Sequence, residues 1–118
     1  MTKRNASIRY VSRSEAETEH IAARCAKTLV GGDVVLLDGD LGAGKTVFVR
    51  GFARHFSIRN RITSPTFVLM RIYDARSRGI RFLVHIDAYR IADARDLFAI
   101  GLGEWLDRTD AVIVIEWG

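Results

Sequence analysis

The run Gly39-Asp40-Leu41-Gly42-Ala43-Gly44-Lys45-Thr46 completes the pattern GxxxxGKT, which is suited to holding phosphate. Glycines let backbone N–H groups close around phosphate oxygens, and a helix that follows adds the positive end of its dipole. In that pattern Lys45 reaches β- and γ-phosphates, and the Thr46 hydroxyl holds Mg²⁺. A glycine-rich turn can spell the same letters by chance, so the flanks decide. Residues 33–38 (DVVLLD) form an apolar strand pattern, and residues 47–56 (VFVRGFARHF) form a helix pattern. Strand, loop and helix in that order are the context in which the pattern binds nucleotide phosphates.

Binding alone is not chemistry, which needs a metal ligand or a group that orients water. Two apolar runs end in acids: Asp87 follows Phe82-Leu83-Val84-His85-Ile86, and Glu116 follows Ala111-Val112-Ile113-Val114-Ile115. Ligands in α/β sheets gather at the carboxyl ends of parallel strands, so either acid can face an ion held by Thr46. Each acid taken alone is equally at home as a cap or turn residue, and spacing does not say which one meets the metal. Thr66 lies in an irregular stretch after the loop's helix, where nucleotide-sensing switches occur, and is a second candidate for a metal or γ-phosphate contact. His85, inside an apolar strand, reads as a packed core histidine in preference to a catalyst. His20 and His55 fall on helix patterns and read as surface residues. Trp105 and Trp117 read as packing residues, although Trp117 directly follows a candidate acid.

The elements that must position these groups can be read from periodicity. Residues 7–11 alternate weakly, as a short strand. Ser14, or Ser12, is a candidate N-cap, and Glu17 completes a capping box with Ser14. Ile21, Ala22, Cys25, Ala26 and Leu29 recur at helical spacing, and Gly31-Gly32 ends that helix. Pro65, the single proline, forces Ser64 away from helical angles. Residues 67–73 and 81–87 read as strands, joined by a polar, turn-rich stretch over 74–79, which predicts an antiparallel hairpin. Residues 92–100 read as a helix with Asp93 near its start. Gly101-Leu102-Gly103 breaks it, and residues 104–107 make a further short turn. The near-continuous apolar run 111–115 is typical of a strand buried on both faces of a sheet. Strands alternating with helices predict an α/β domain with helices covering the sheet.

With 118 residues the chain suffices for one domain with one core, expected over 1–118, and it shows no internal repeat or linker. The 48% hydrophobic and 27% charged composition is that of a globular protein. No apolar run is long enough to span a bilayer, and the N-terminus has no apolar signal core, so a membrane or secretory role is not expected. One cysteine, Cys25, excludes an internal disulfide and fits a reducing cytoplasm, where it reads as a small packed helix residue. Net charge is +4, and all but Lys3, Lys27 and Lys45 of the 18 basic residues are arginine. They are denser around Arg50, Arg54, Arg59 and Arg61, and again around Arg71, Arg76, Arg78 and Arg81. Solvated helix and hairpin faces account for both stretches more economically than direct RNA contact.

The phosphate loop, with Ser64-Pro65-Thr66-Phe67, His85-Ile86-Asp87-Ala88-Tyr89-Arg90 and Glu116-Trp117, resembles the bacterial TsaE family in motif order and spacing. These are small ATPases of tRNA threonylcarbamoyladenosine biosynthesis. The resemblance implies a P-loop NTPase-like three-layer sandwich with a central, mostly parallel sheet plus an antiparallel hairpin. It implies ATP/ADP and Mg²⁺ as cofactors. It also implies support of the TsaB and TsaD proteins as they place a threonylcarbamoyl group on a tRNA adenosine, which makes tRNA an indirect partner and leaves direct contact undecided. By the same resemblance Thr46 and Glu116 are Mg²⁺ ligands, and Asp87 is a catalytic or water-positioning acid. Lys45 acts on the phosphates, Thr66 belongs to a switch segment, and the stretch from Gly39 through Val47, with Trp117, lines the nucleotide. Thr18 matches a position near the nucleotide. Arg90 is a candidate charge helper within the chain. Family members continue past Glu-Trp with further sheet and a basic tail, whereas this sequence ends at Gly118. An uncovered sheet and weakened nucleotide contacts are therefore expected. Two rival readings remain at this stage. One is a nucleotide-dependent binding module without useful catalysis; the other is a small-molecule kinase, although no lid insertion is evident. A GTPase lacks its Asn-Lys-x-Asp motif here.

Overall fold

A computed structural model describes residues 12–38, 44–58, 70–88 and 93–117. Within them the element order is α1 (Glu15–Ala26), β1 (Val34–Asp38), α2 (Lys45–His55), β2 (Met70–Ser77), β3 (Ile80–Asp87), α3 (Ala94–Ala99), α4 (Leu102–Leu106) and β4 (Ala111–Trp117). The four strands form one sheet in the order β1-β4-β3-β2. β4 runs parallel to both β1 and β3, and β2 joins β3 as an antiparallel hairpin.

This order explains the apolar run at the end of the chain. β4 lies between two strands and beneath helices on both faces, so residues 111–116 are all buried. Alternate side chains divide between the faces. Val112, Val114 and Leu83 join Phe52 and Phe56 of the α2 region and Ala22 of α1 on one side. Ile113, Ile115, Val84 and Ile86 join Leu97 and Leu102 of α3 and α4 on the other. Helices on both faces of a mostly parallel sheet are the three-layer architecture the motifs imply. On the α3–α4 side, Arg108 lies over the Phe82 and Trp105 rings at 4.9 and 5.3 Å, and those two rings meet edge to face.

The helix starts follow from sequence. Ser14 Oγ accepts from Glu17 N at 3.1 Å, and the Glu17 carboxylate accepts from Arg13 N at 3.2 Å. This is the expected capping pair, displaced by one residue on its return bond. Asp93 caps α3 by accepting from Arg95 N at 2.8 Å. α1 ends at Ala26, short of the predicted Gly31-Gly32 boundary. Cys25 is partly buried against the α1–α2 core, as its helical spacing suggests.

The hairpin differs from expectation. Residues 74–77 continue β2, and the turn is confined to Arg78-Gly79. Tyr73 and Ala75 face the core while Asp74 and Arg76 face solvent. A period-two strand is thus present, carried by side chains charged enough to resemble a turn. Arg76 N also donates to Phe56 O at 2.8 Å, tying the strand to the end of α2. Arg50, Arg54, Arg71, Arg76, Arg78 and Arg81 are exposed, and Arg54 pairs with Glu19 at 3.2 Å. The predicted strand over 7–11 and the early part of the predicted strand over 67–73 lie outside the described residues, as do Arg59 and Arg61. On β1, Val34 and Leu36 are 42% and 58% exposed on the α3–α4 face. No described helix is long and apolar enough to cross a membrane.

Gly51 sits in the middle of α2, where glycine weakens a helix. A Cβ there would collide with Glu19 O and the Ala22 side chain of α1. The absence of that carbon lets the two helices cross closely. Gly51→Val should therefore destabilise the protein by about 1–3 kcal/mol through overpacking. Chemical denaturation is the check, and a variant as stable as the native chain would contradict the close crossing.

Candidate functional site

The site forms where the carboxyl ends of β1, β4 and β3 meet the start of α2. Gly44 precedes α2 at φ +87°, in the left-handed region that disfavours a side chain. The chain thereby turns into the helix at Lys45, two residues earlier than residue spacing predicts, and no side chain caps that end. Lys45 and Thr46 consequently occupy the first turn, facing the ends of the central strands.

Three elements converge on one carboxylate. Thr46 Oγ1 donates to Glu116 Oε1 at 3.0 Å, and His85 Nε2 meets Glu116 Oε2 at 3.0 Å. His85 is fully buried and Glu116 is 4% exposed. Strand register accounts for the meeting. Glu116 is the Cα partner of Asp87 on β3 and of Leu37 on β1, and His85 lies two residues before Asp87 on the same face. Burial pushes the Glu116 carboxyl up. The His85 bond, the charge of that ring when protonated, the Thr46 bond and the positive charge of Lys45 together outweigh it, holding the acid below its usual range. An acid depressed on folding contributes stability that is complete above its unfolded value of about 4.3 and is lost as pH falls through the lower folded value.

Glu116→Gln should lack that acid-dependent component. The single amide oxygen also cannot accept from both Thr46 and His85, so the variant should lose about 1–3 kcal/mol at neutral pH. Denaturation midpoints measured from pH 7 down to pH 3 test both effects. An unchanged acid slope in the variant would show that Glu116 does not carry the dependence.

The structure brings together Lys45, Thr46, Asp87 and Glu116 from among the expected residues. β4, not β3, lies beside β1, so Glu116 is the acid that reaches Thr46, while Asp87 stands one strand further on and half-buried. Val47 is half-buried in the first turn of α2. Trp117 pairs through its backbone with Asp38 of β1. Thr18 is half-buried on α1, with its hydroxyl on Ser14 O at 3.1 Å and Ser12 Oγ at 2.6 Å. Gly39, Asp40, Leu41, Gly42, Ala43, Thr66 and Arg90 lie outside the described residues. His85 has the burial expected of a core histidine, but one ring nitrogen is bonded to Glu116 and the other, Nδ1, is buried without a partner among the described residues. The available signal was its spacing: two residues before Asp87, hence on the same sheet face.

The donor set can be tested against a metal. Thr46 and Glu116 offer hard oxygens, and no cluster of three or more His, Cys, Asp or Glu side chains suited to a metal occurs among the described residues. Few protein ligands, all oxygen, suit Mg²⁺, which keeps waters and substrate phosphates in its shell. They do not suit a closed zinc site.

The family model described as threonylcarbamoyl adenosine biosynthesis protein TsaE matches residues 12–118. The chain belongs to the TsaE family. A curated TsaE from Mycobacterium tuberculosis is 43% identical over 106 residues, covering 86% of this chain and 63% of that protein. The Treponema pallidum TsaE is 44% identical over 111 residues, covering 94% and 78%. The crystal structure of Bacillus subtilis YdiB superposes with a TM-score of 0.66 at 32% identity, covering 90% of this chain and 61% of that one. The chain thus spans 63% of the length of the Mycobacterium tuberculosis TsaE. The matched region takes in every residue of the Thr46–His85–Glu116 cluster.

Proposed function

We propose that this TsaE-family chain binds Mg-ATP at the end of β1 and hydrolyses it in the cytoplasm, in support of the TsaB–TsaD pair in threonylcarbamoylation of a tRNA adenosine. The Thr46–Glu116 hydrogen bond carries the reading. It joins the threonine of a GxxxxGKT run to an acid at the end of the neighbouring parallel strand. That pairing is what a nucleotide-bound magnesium ion requires. The family membership and the relatives' names for threonylcarbamoyladenosine biosynthesis support the pathway.

In this reading the stretch from Gly39 to Gly44 and the first amides of α2 bind the phosphates of ATP or ADP. Lys45 neutralises charge between the β- and γ-phosphates. Thr46 and Glu116 hold the magnesium ion, which neutralises charge on the phosphate oxygens when bound. Asp87 orients the attacking water, whose oxygen bonds to the γ-phosphorus as the bond to the β-phosphate oxygen breaks. Thr66 serves as a metal or γ-phosphate contact, and Val47 and Trp117 contact the nucleotide. Phosphoryl transfer needs positioning and charge stabilisation more than covalent chemistry, so hydrolysis is slow alone and is stimulated by partners. TsaB and TsaD are the direct partners in this reading, and tRNA is served through them.

Lys45→Ala should weaken binding of a fluorescent ATP analogue by roughly ten- to a hundredfold, the effect of losing a charged hydrogen bond. Equal affinity in the variant would overturn the phosphate assignment. Phosphate release from Mg-ATP should be slow with the chain alone and rise when TsaB and TsaD are added. Nucleotide binding with no release in either condition would instead identify a binding module without catalysis.

A further inference from the structure

His85 is an expensive choice for its position. Its neighbours along β3 and β4, Leu83, Val84, Ile86 and Val114, are buried aliphatic residues. A valine or leucine would continue that packing. An imidazole instead buries two polar nitrogens, and Nδ1 has no hydrogen-bond partner among the described residues. Burying an unpaired polar atom costs stability, so its other contact has to offset that loss. That contact is Glu116 Oε2 at 3.0 Å. An ionised carboxylate only accepts hydrogen bonds, so Nε2 carries the proton and donates.

The bond is directional. Glu116 Oε1 faces the Thr46 hydroxyl, whereas Oε2 is held by His85 from β3. Thr46 lies on the α2 side of the carboxylate, in the first turn of that helix. His85 lies on an inner strand paired on both sides, with β4 and β2. It fixes the rotation of the carboxylate from a part of the fold that a ligand does not reach.

Resting on the Mg-ATP reading above, we propose that His85 is a positioning residue that presets Glu116 for the metal by occupying Oε2 and leaving Oε1 for the ion. Outer partners of metal-binding groups commonly change metal affinity by 10–100-fold. His85 acts on the metal requirement of nucleotide binding and leaves metal-free contacts of the phosphates intact. Leucine at 85 keeps the volume and loses the donor. Glutamine at 85 places an amide N–H at about the reach of Nε2.

The test is a titration with a fluorescent ADP analogue, first in EDTA and then against increasing Mg²⁺, for the native chain, His85→Leu and His85→Gln. His85→Leu should need at least about tenfold more Mg²⁺ for half-maximal enhancement of binding, with its affinity in EDTA unchanged. His85→Gln should recover most of the native Mg²⁺ response. An unchanged Mg²⁺ half-point in a folded His85→Leu would overturn the assignment of His85 while leaving the nucleotide reading intact. A native chain that binds no nucleotide in either condition would overturn both. Should His85→Leu fail to fold, ¹⁵N-histidine spectra of the native chain decide. A protonated, hydrogen-bonded Nε2 that shifts when Mg²⁺ is added to the ADP-loaded protein supports the role, and a ring protonated at Nδ1 with Nε2 bare overturns it.

Discussion

One buried carboxylate holds the working end of this protein together. Glu116 takes one hydrogen bond from the first turn of α2 and one from the inner strand β3, each at 3.0 Å. A carboxylate nearly removed from water is costly unless its lone pairs are met. The two donors and the nearby Lys45 charge meet that demand, and they keep the acid ionised. The same contacts set the distance between the phosphate-loop helix and the sheet. Any ligand that enters the site must therefore work with a carboxylate whose orientation is already fixed.

The layers make that arrangement possible. β4 is central because its 111–115 run is apolar on both faces, and helices on either side complete its burial. Centrality in turn brings residue 116 against both β1 and β3. α2 lies close to α1 because Gly51 lacks a side chain, which seats the helix whose first turn carries Lys45 and Thr46. The site is thus a consequence of strand order and helix approach, with its chemistry concentrated at the carboxyl end of the parallel strands, where α/β sheets bind ligands.

Local patterns were legible in the sequence, and strand order was not. The strand and helix that flank the glycine run, the Ser14–Glu17 cap and the buried run of β4 all depend on near neighbours, and each is found. The choice between Asp87 and Glu116 depends on which strand lies next to β1. That is a long-range fact, and residue spacing is silent on it; the family resemblance names Glu116 as the ligand, and Glu116 is the acid that Thr46 bonds. His85 was legible as buried, but its partner lies 31 residues away. At residues 74–77 a strand replaces the predicted turn, because exposed Asp74 and Arg76 alternate with buried Tyr73 and Ala75. Charge there marks the solvent-facing side of an edge strand, a pattern that local composition does not separate from a turn.

Detection of bound Mn²⁺ by electron paramagnetic resonance tests the central claim most directly, because Mn²⁺ replaces Mg²⁺ at oxygen sites. With ADP present, the native chain should bind one Mn²⁺, and Glu116→Gln should weaken that binding by at least about tenfold. Equal Mn²⁺ affinity in the two proteins would contradict the account, because the carboxylate on which the site is built would then not be holding the ion.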